Sequence, residues 1–149
     1  MEIREQLFAQ CVNYVDQRIA AARQEIDYAQ ASANAEEKSS AGDKYETGRA
    51  MAHLERDKAA QQLQEAIKLK ASLAQVNSSA SKEVIELGSV VTTTQGNFYL
   101  AISAGKLQVN DLQIFALSTA SPLGQKLLSK KVGDEFIFNK KPFGILEIQ

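Results

Sequence analysis

Cysteine, histidine, proline and glycine are all scarce in this chain, and each scarcity narrows what it can be. Its 149 residues include one cysteine, Cys11, so no internal disulfide can form; that economy suits a reducing cytoplasm. The one histidine, His53, has no neighbours in sequence that would complete a metal or acid–base group with it. Charge of one sign is missing too. A formal net charge of −1 offers no broad basic field, so nucleic-acid contacts would have to be local and independent sequence-specific DNA binding is not expected. No run of about 18 apolar residues occurs, so no membrane-spanning helix is expected. The opening MEIREQLFAQ carries Glu2 and Glu5 and no apolar stretch, which reads against a secretory signal.

Glycine and proline are also distributed unevenly, and this divides the chain. Neither occurs from Met1 to Ala41 or from Arg49 to Leu87, whereas both prolines, Pro122 and Pro142, lie beyond Gly88. Glycine and proline cost about 1 and 3 kcal/mol in a helix interior, so long stretches without them predict long helices. Phe8, Val12, Val15, Ile19, Ala22, Ile26, Ala29 and Ala33 alternate in steps of four and three, the narrow seam of a helix facing one partner helix. In the second stretch Leu63 and Ile67 fit one register, and Leu69, Leu73 and Val76 another, which predicts a stutter near Lys68. A short connection around Gly42 makes consecutive helices antiparallel neighbours. Arms of roughly 30 residues would reach about 45 Å.

The second half has a different grammar. VIELGSVVTTT, NFYLAIS, LQIFALST, DEFIF and FGILEIQ are rich in β-branched and aromatic residues and are separated by turn formers. In SPLGQKLLSK, Ser121 can cap a short helix with Pro122 at its first position, and Gly133-Asp134 reads as a turn into the next strand. The expected architecture is α+β: an N-terminal antiparallel two-helix coiled-coil hairpin (1–78), then a small antiparallel β domain with one short helix (82–149).

The stretch EEKSSAGDKYE, residues 36–46, places Glu36, Glu37, Asp43 and Glu46 against two lysines where the helices would join. A solvated loop with Asp43 as an ordinary helix cap accounts for this composition. The alternative is that Asp43 and Glu46, three residues apart at a helix start, point two carboxylates the same way. Two carboxylates bind Mg²⁺ weakly alone, so such a tip would act where another protein and a phosphate complete the site.

With Gly42-Asp43-Lys44-Tyr45-Glu46 in the first half, and Ser121-Pro122-Leu123 followed by Gly133-Asp134 in the second, the chain resembles the Gre transcript-cleavage factor family (GreA and GreB) over nearly its whole length. The resemblance implies an FKBP-like second domain and a transcription elongation factor that binds bacterial RNA polymerase. The coiled coil would enter the secondary channel and stimulate cleavage of backtracked RNA at its 3′ end. On that implication Asp43 and Glu46 are tip carboxylates sharing Mg²⁺ with the polymerase, whose hydrolytic activity is stimulated; the chain itself is not an enzyme. Tyr45, Arg49, Arg56 and Lys58 become candidates for RNA contact, and Ser121 and Pro122 for partner contact. Thr47-Gly48-Arg49 departs from the family's Asn-Ala-Glu, and Gly48 would loosen the first turn of the second helix.

Each candidate also has a plain structural reading. Arg49 and Arg56 with Glu46 and Glu55 make a solvated helix face; Cys11 packs; Ser121-Pro122 is a helix entry. Lys130, Lys131, Lys140 and Lys141 are turn lysines, or aids to docking on an acidic surface. Two other functions fit the same outline: a channel-occupying regulator that does not promote cleavage, and a coiled-coil adaptor for an unrelated partner. A prolyl isomerase role rests on fold analogy alone.

Overall fold

The computed structural model describes the backbone of residues 2–37, 42–76 and 79–149, and the side chains of these residues except 36–37 and 42–46. Two long helices come first, α1 (Ile3–Glu37) and α2 (Gly42–Leu73). Six strands follow, β1 (Val90–Thr93), β2 (Gly96–Ala101), β3 (Gly105–Val109), β4 (Leu112–Ser118), β5 (Glu135–Phe138) and β6 (Lys141–Ile148), with the short helix α3 (Pro122–Leu127) between β4 and β5. The α+β class read from the sequence holds. The chain forms two compact units, residues 15–70 and residues 1–14 with 71–149, so both long helices contribute to each. The change from helix grammar to strand grammar at 78–82 therefore lies inside the second of these units.

In the unit formed by residues 15–70 the two helices run antiparallel. The Lys70 ammonium donates to Asp16 at 2.8 Å, and the Arg56 guanidinium donates to Gln30 Oε1 at 3.1 Å. Moving forward fourteen residues along α1, from Asp16 to Gln30, moves back fourteen along α2, from Lys70 to Arg56. Fourteen residues are two heptads, so the register repeats as a coiled coil requires. The seam is made of small residues: Ala22, Ala29 and Ala33 on α1 and Ala52, Ala59 and Ala66 on α2 are all buried. Alanine at the contact lets the helix axes approach closely.

Two details of the expected seam are corrected. Phe8 is exposed and Val12 half-buried, while Leu7 and Cys11 are fully buried. The first fourteen residues of α1 belong to the sheet-bearing unit, and there a stripe at four-residue spacing, Leu7 and Cys11, faces inward. The stutter near Lys68 is absent, because the buried positions Ala52, Ala59, Ala66 and Leu73 keep a strict seven-residue repeat and Ile67 is exposed. The helix also stops at Leu73, well short of the next glycine, Gly88. From Ser79 to Ser89 the backbone is held by side chains instead: Glu86 accepts from the Ser81 N–H at 2.7 Å, and Ser89 Oγ from the Glu86 N–H at 2.9 Å. Serine and carboxylate groups that bond nearby N–H groups compete with helix continuation.

The sheet order is β3-β4-β2-β1-β6-β5. It is mixed, which corrects the expected antiparallel sheet: β2 and β4 are parallel, with Phe98 opposite Phe115 and Leu100 opposite Leu117. The cause is β3, a strand missing from the expected set. Residues 102–104 carry the chain past the end of the sheet to form β3 on the outside, and β4 then turns back between β3 and β2. GKLQV is short and mostly polar, with only Leu107 and Val109 buried, so its composition gave little strand signal. One sheet face packs Val91, Phe98, Leu100, Phe143 and Ile145 against Leu127 of α3 and Ile85.

Candidate functional site

The acidic residues singled out in the sequence fall on the backbone at the end of α1 and the start of α2. Asp43, Tyr45 and Glu46 all fall in the first turns of α2, which opens at Gly42, while α1 ends at Glu37. Their side chains, with those of Glu36 and Glu37, lie outside the described residues, as do residues 38–41 altogether. On the backbone, positions 43 and 46 lie three residues apart on one helix. A helix N-terminus is favourable for acids, because its unpaired N–H groups carry partial positive charge.

The basic candidates nearby are engaged within the hairpin. Arg49 is exposed, and its Nε donates to His53 Nε2 at 3.4 Å. Arg56 is half-buried; besides Gln30 it donates to Asp57 at 3.3 Å. Gln30 in turn donates to Asn34 at 3.2 Å, so a polar chain ties α2 to α1 along this part of the hairpin. His53 is half-buried at the seam edge, and its Nδ1 has no hydrogen-bond partner. Lys58 lines a shallow groove of about 390 Å³ with Glu25, Tyr28, Glu55 and Gln62, and Tyr28 is 73% exposed there. No local pattern announces this groove, since its walls come from both helices and only the register brings them together.

In the sheet-bearing unit, Ser121 and Pro122 behave as read. Ser121 is extended (φ −66°, ψ 155°), its hydroxyl accepts the Gly124 N–H at 3.1 Å, and it donates to the Ser118 carbonyl at 2.7 Å. Pro122 begins α3. Gly124 is required here, because a Cβ would collide with the Ser118 carbonyl oxygen. The turn at Gly133-Asp134 also forms. Gly133 has φ +93°, a conformation that favours glycine, and Asp134 Oδ2 accepts the Lys131 N–H at 2.8 Å. Lys130 lies over the Phe136 ring at 5.9 Å, while Lys140 sits at positive φ in the β5–β6 turn.

The sequence reading missed a second concavity. A cavity of about 480 Å³ is lined by Arg4, Glu5, Phe8, Gly88 and Tyr99, among others. Tyr99 is 1% exposed, and its phenol is pushed well above its ordinary range, first by burial and then by Cys11. Burial raises the Cys11 thiol from near 9 to about 11, so it is protonated and unreactive at neutral pH. These residues come from segments far apart in the chain, and no spacing motif announces them.

Among the described residues no cluster of three or more metal-capable side chains occurs, and no helix is long and apolar enough to cross a membrane. No protein-family model, curated protein or solved structure matches the chain.

Proposed function

We propose that this protein is a Gre-type accessory factor of bacterial RNA polymerase, acting in the cytoplasm to stimulate cleavage of backtracked RNA. The observation that carries the reading is the antiparallel pairing of α1, which ends at Glu37, with α2, which opens at Gly42. Asp43 and Glu46 fall in the opening turns of α2. The capped helix entry at Ser121-Pro122 and the Gly133-Asp134 turn supply the second half of the resemblance. In this reading the six-stranded unit is an FKBP-like domain that docks on the polymerase, and Ser121 acts through the α3 entry it holds.

The residue chemistry fits a hard divalent cation. Carboxylate oxygens are the donors Mg²⁺ prefers, and two of them leave most of its roughly six positions to water, polymerase and phosphate. When bound there, the ion would polarise a water and offset charge on the phosphate being cut. Asp43 and Glu46 supply the two anionic donors. The coiled coil delivers them into a confined channel, Tyr45 offers a ring for stacking on the RNA end, and Arg49 and Lys58 offer positive charge near it. The hydrolysis remains the polymerase's own.

The test is a cleavage assay on stalled elongation complexes with Mg²⁺, comparing the wild-type chain with Asp43→Ala and Glu46→Ala. Each variant is expected to bind core polymerase like wild type and to lose at least ten-fold of the stimulated cleavage rate, on the order of the contribution of one catalytic electrostatic group. Unchanged cleavage by both variants contradicts the assignment. Gly48, a residue type that disfavours the helix interior just after the carboxylates, favours a second reading: occupation of the channel without cleavage. Polymerase binding with no wild-type stimulation selects that reading, and no polymerase binding excludes both.

A further inference from the structure

The two edges of the sheet are finished differently. At β3 the hairpin to β4 closes on Val109 opposite Leu112, so the peptide groups of Lys106 and Gln108 point away from the sheet. The Gln10 side chain meets Gln108 there: its Nε2 donates to the Gln108 carbonyl at 2.7 Å, and its Oε1 accepts the Gln108 N–H at 3.4 Å. A single carboxamide thus mimics one residue of a neighbouring strand. The other outward position carries a lysine, a common way of discouraging strand addition. This edge is closed.

Among the described residues no side chain bonds the outward peptide groups of β5 as Gln10 does those of β3. Its hairpin to β6 closes on Phe138 opposite Lys141, with Phe136 opposite Phe143, so Glu135 and Ile137 turn their peptide groups outward. Ile137 is 70% exposed, and Val132 and Leu146, near the same edge, are each 56% exposed. An apolar edge strand with open backbone groups is a template for another strand. Its charge pattern selects the occupant. Asp134 and Glu135 stand at the start of β5, and Lys140 and Lys141 at its end. Turned antiparallel against itself, the strand sets its acidic end beside the basic end of its copy. Centring the two-fold on Ile137 pairs that side chain with its own counterpart, and the acidic residues at the start of β5 then face the basic β5–β6 turn, with Lys140, of the second copy.

We propose that β5 is a self-association edge, pairing antiparallel with β5 of a second copy of this chain to continue the sheet across a two-fold axis. The contact is isologous, as closed dimers require, and only three residues of each β5 face β5 of the other copy, so association is weak. It draws on neither the α1–α2 hairpin nor the tip carboxylates, and it stands independently of any role with polymerase.

Sedimentation of the full chain over a concentration series tests this, with amide hydrogen exchange read at each concentration. The expected result is a monomer–dimer equilibrium in which the Glu135 and Ile137 amides gain protection as the dimer fills. Ile137→Lys should remove the dimer while leaving the melting curve unchanged, because that side chain is exposed. Lys140→Glu, which sets an acid against the acidic start of β5 in the second copy, should weaken it several-fold. A monomer at millimolar concentration overturns the proposal. So does a dimer indifferent to Ile137→Lys, or one in which protection appears at Lys106 and Gln108.

Discussion

The hairpin unit and the sheet-bearing unit are held together by opposite means. Between α1 and α2 the buried side chains are mostly alanine, so burial per residue is small and stability comes from close, regular contact along a seven-residue repeat. In the other unit the buried set includes Leu100, Ile114 and Ile145 of the sheet together with Leu7 of α1, Leu127 of α3, Ile85 and Ile102, all large side chains. The difference teaches that the two units fail in opposite directions: one when space is added, the other when it is removed.

The largest effect should come from emptying the sheet core. Leu100 is fully buried in the cluster with Phe98, Leu127 and Phe143, and Leu100→Ala should cost about 2–5 kcal/mol in denaturant unfolding. A loss below about 1 kcal/mol would mean that this face collapses freely, against the close packing of protein interiors.

A pH titration sharpens the contrast next. Cys11 holds its proton more tightly when folded, to about 11 against an ordinary value near 9. Its stabilising contribution is therefore complete below pH 9 and is lost as pH rises through 11, a change of about 3 kcal/mol. Wild type should lose that much more stability than Cys11→Ala over this range, and parallel curves for the two proteins would contradict the burial argument.

The smallest of the three effects falls on the hairpin. Ala59 is buried in the seam, and Ala59→Leu should destabilise it by about 1–3 kcal/mol through overpacking. Circular dichroism melts of the two substitutions compare the units directly. If Ala59→Leu stabilises instead, the seam is not closely packed.

How much of this was legible in the sequence follows the same division. Helices α1 and α2 were visible because glycine and proline are absent from them, and the hairpin because its connection is short. The seam of α2 was not legible because Leu63, Ile67 and Leu69 carry the hydrophobic signal, while Ala52, Ala59 and Ala66 form the repeat. Small residues carry little hydrophobic signal even where they decide the geometry. In the second half, Ser121-Pro122 and Gly133-Asp134 act through local bonds that a short motif can encode. Strand β3 and the parallel β2–β4 pairing are products of long-range assembly, which no local pattern records. The tip residues were legible as composition, while Arg56, by sequence either a candidate for RNA contact or a solvated surface charge, joins the two helices through Gln30.

The central claim is that the start of α2 reaches the RNA end inside the polymerase. Replacing Tyr45 with a photo-cross-linking amino acid, in a backtracked complex carrying RNA labelled at its 3′ end, tests that most directly. The account expects an adduct between residue 45 and the extruded RNA, lost when the complex is advanced out of the backtracked state. An adduct confined to the outer surface of the polymerase, or the same yield in both states, would contradict it.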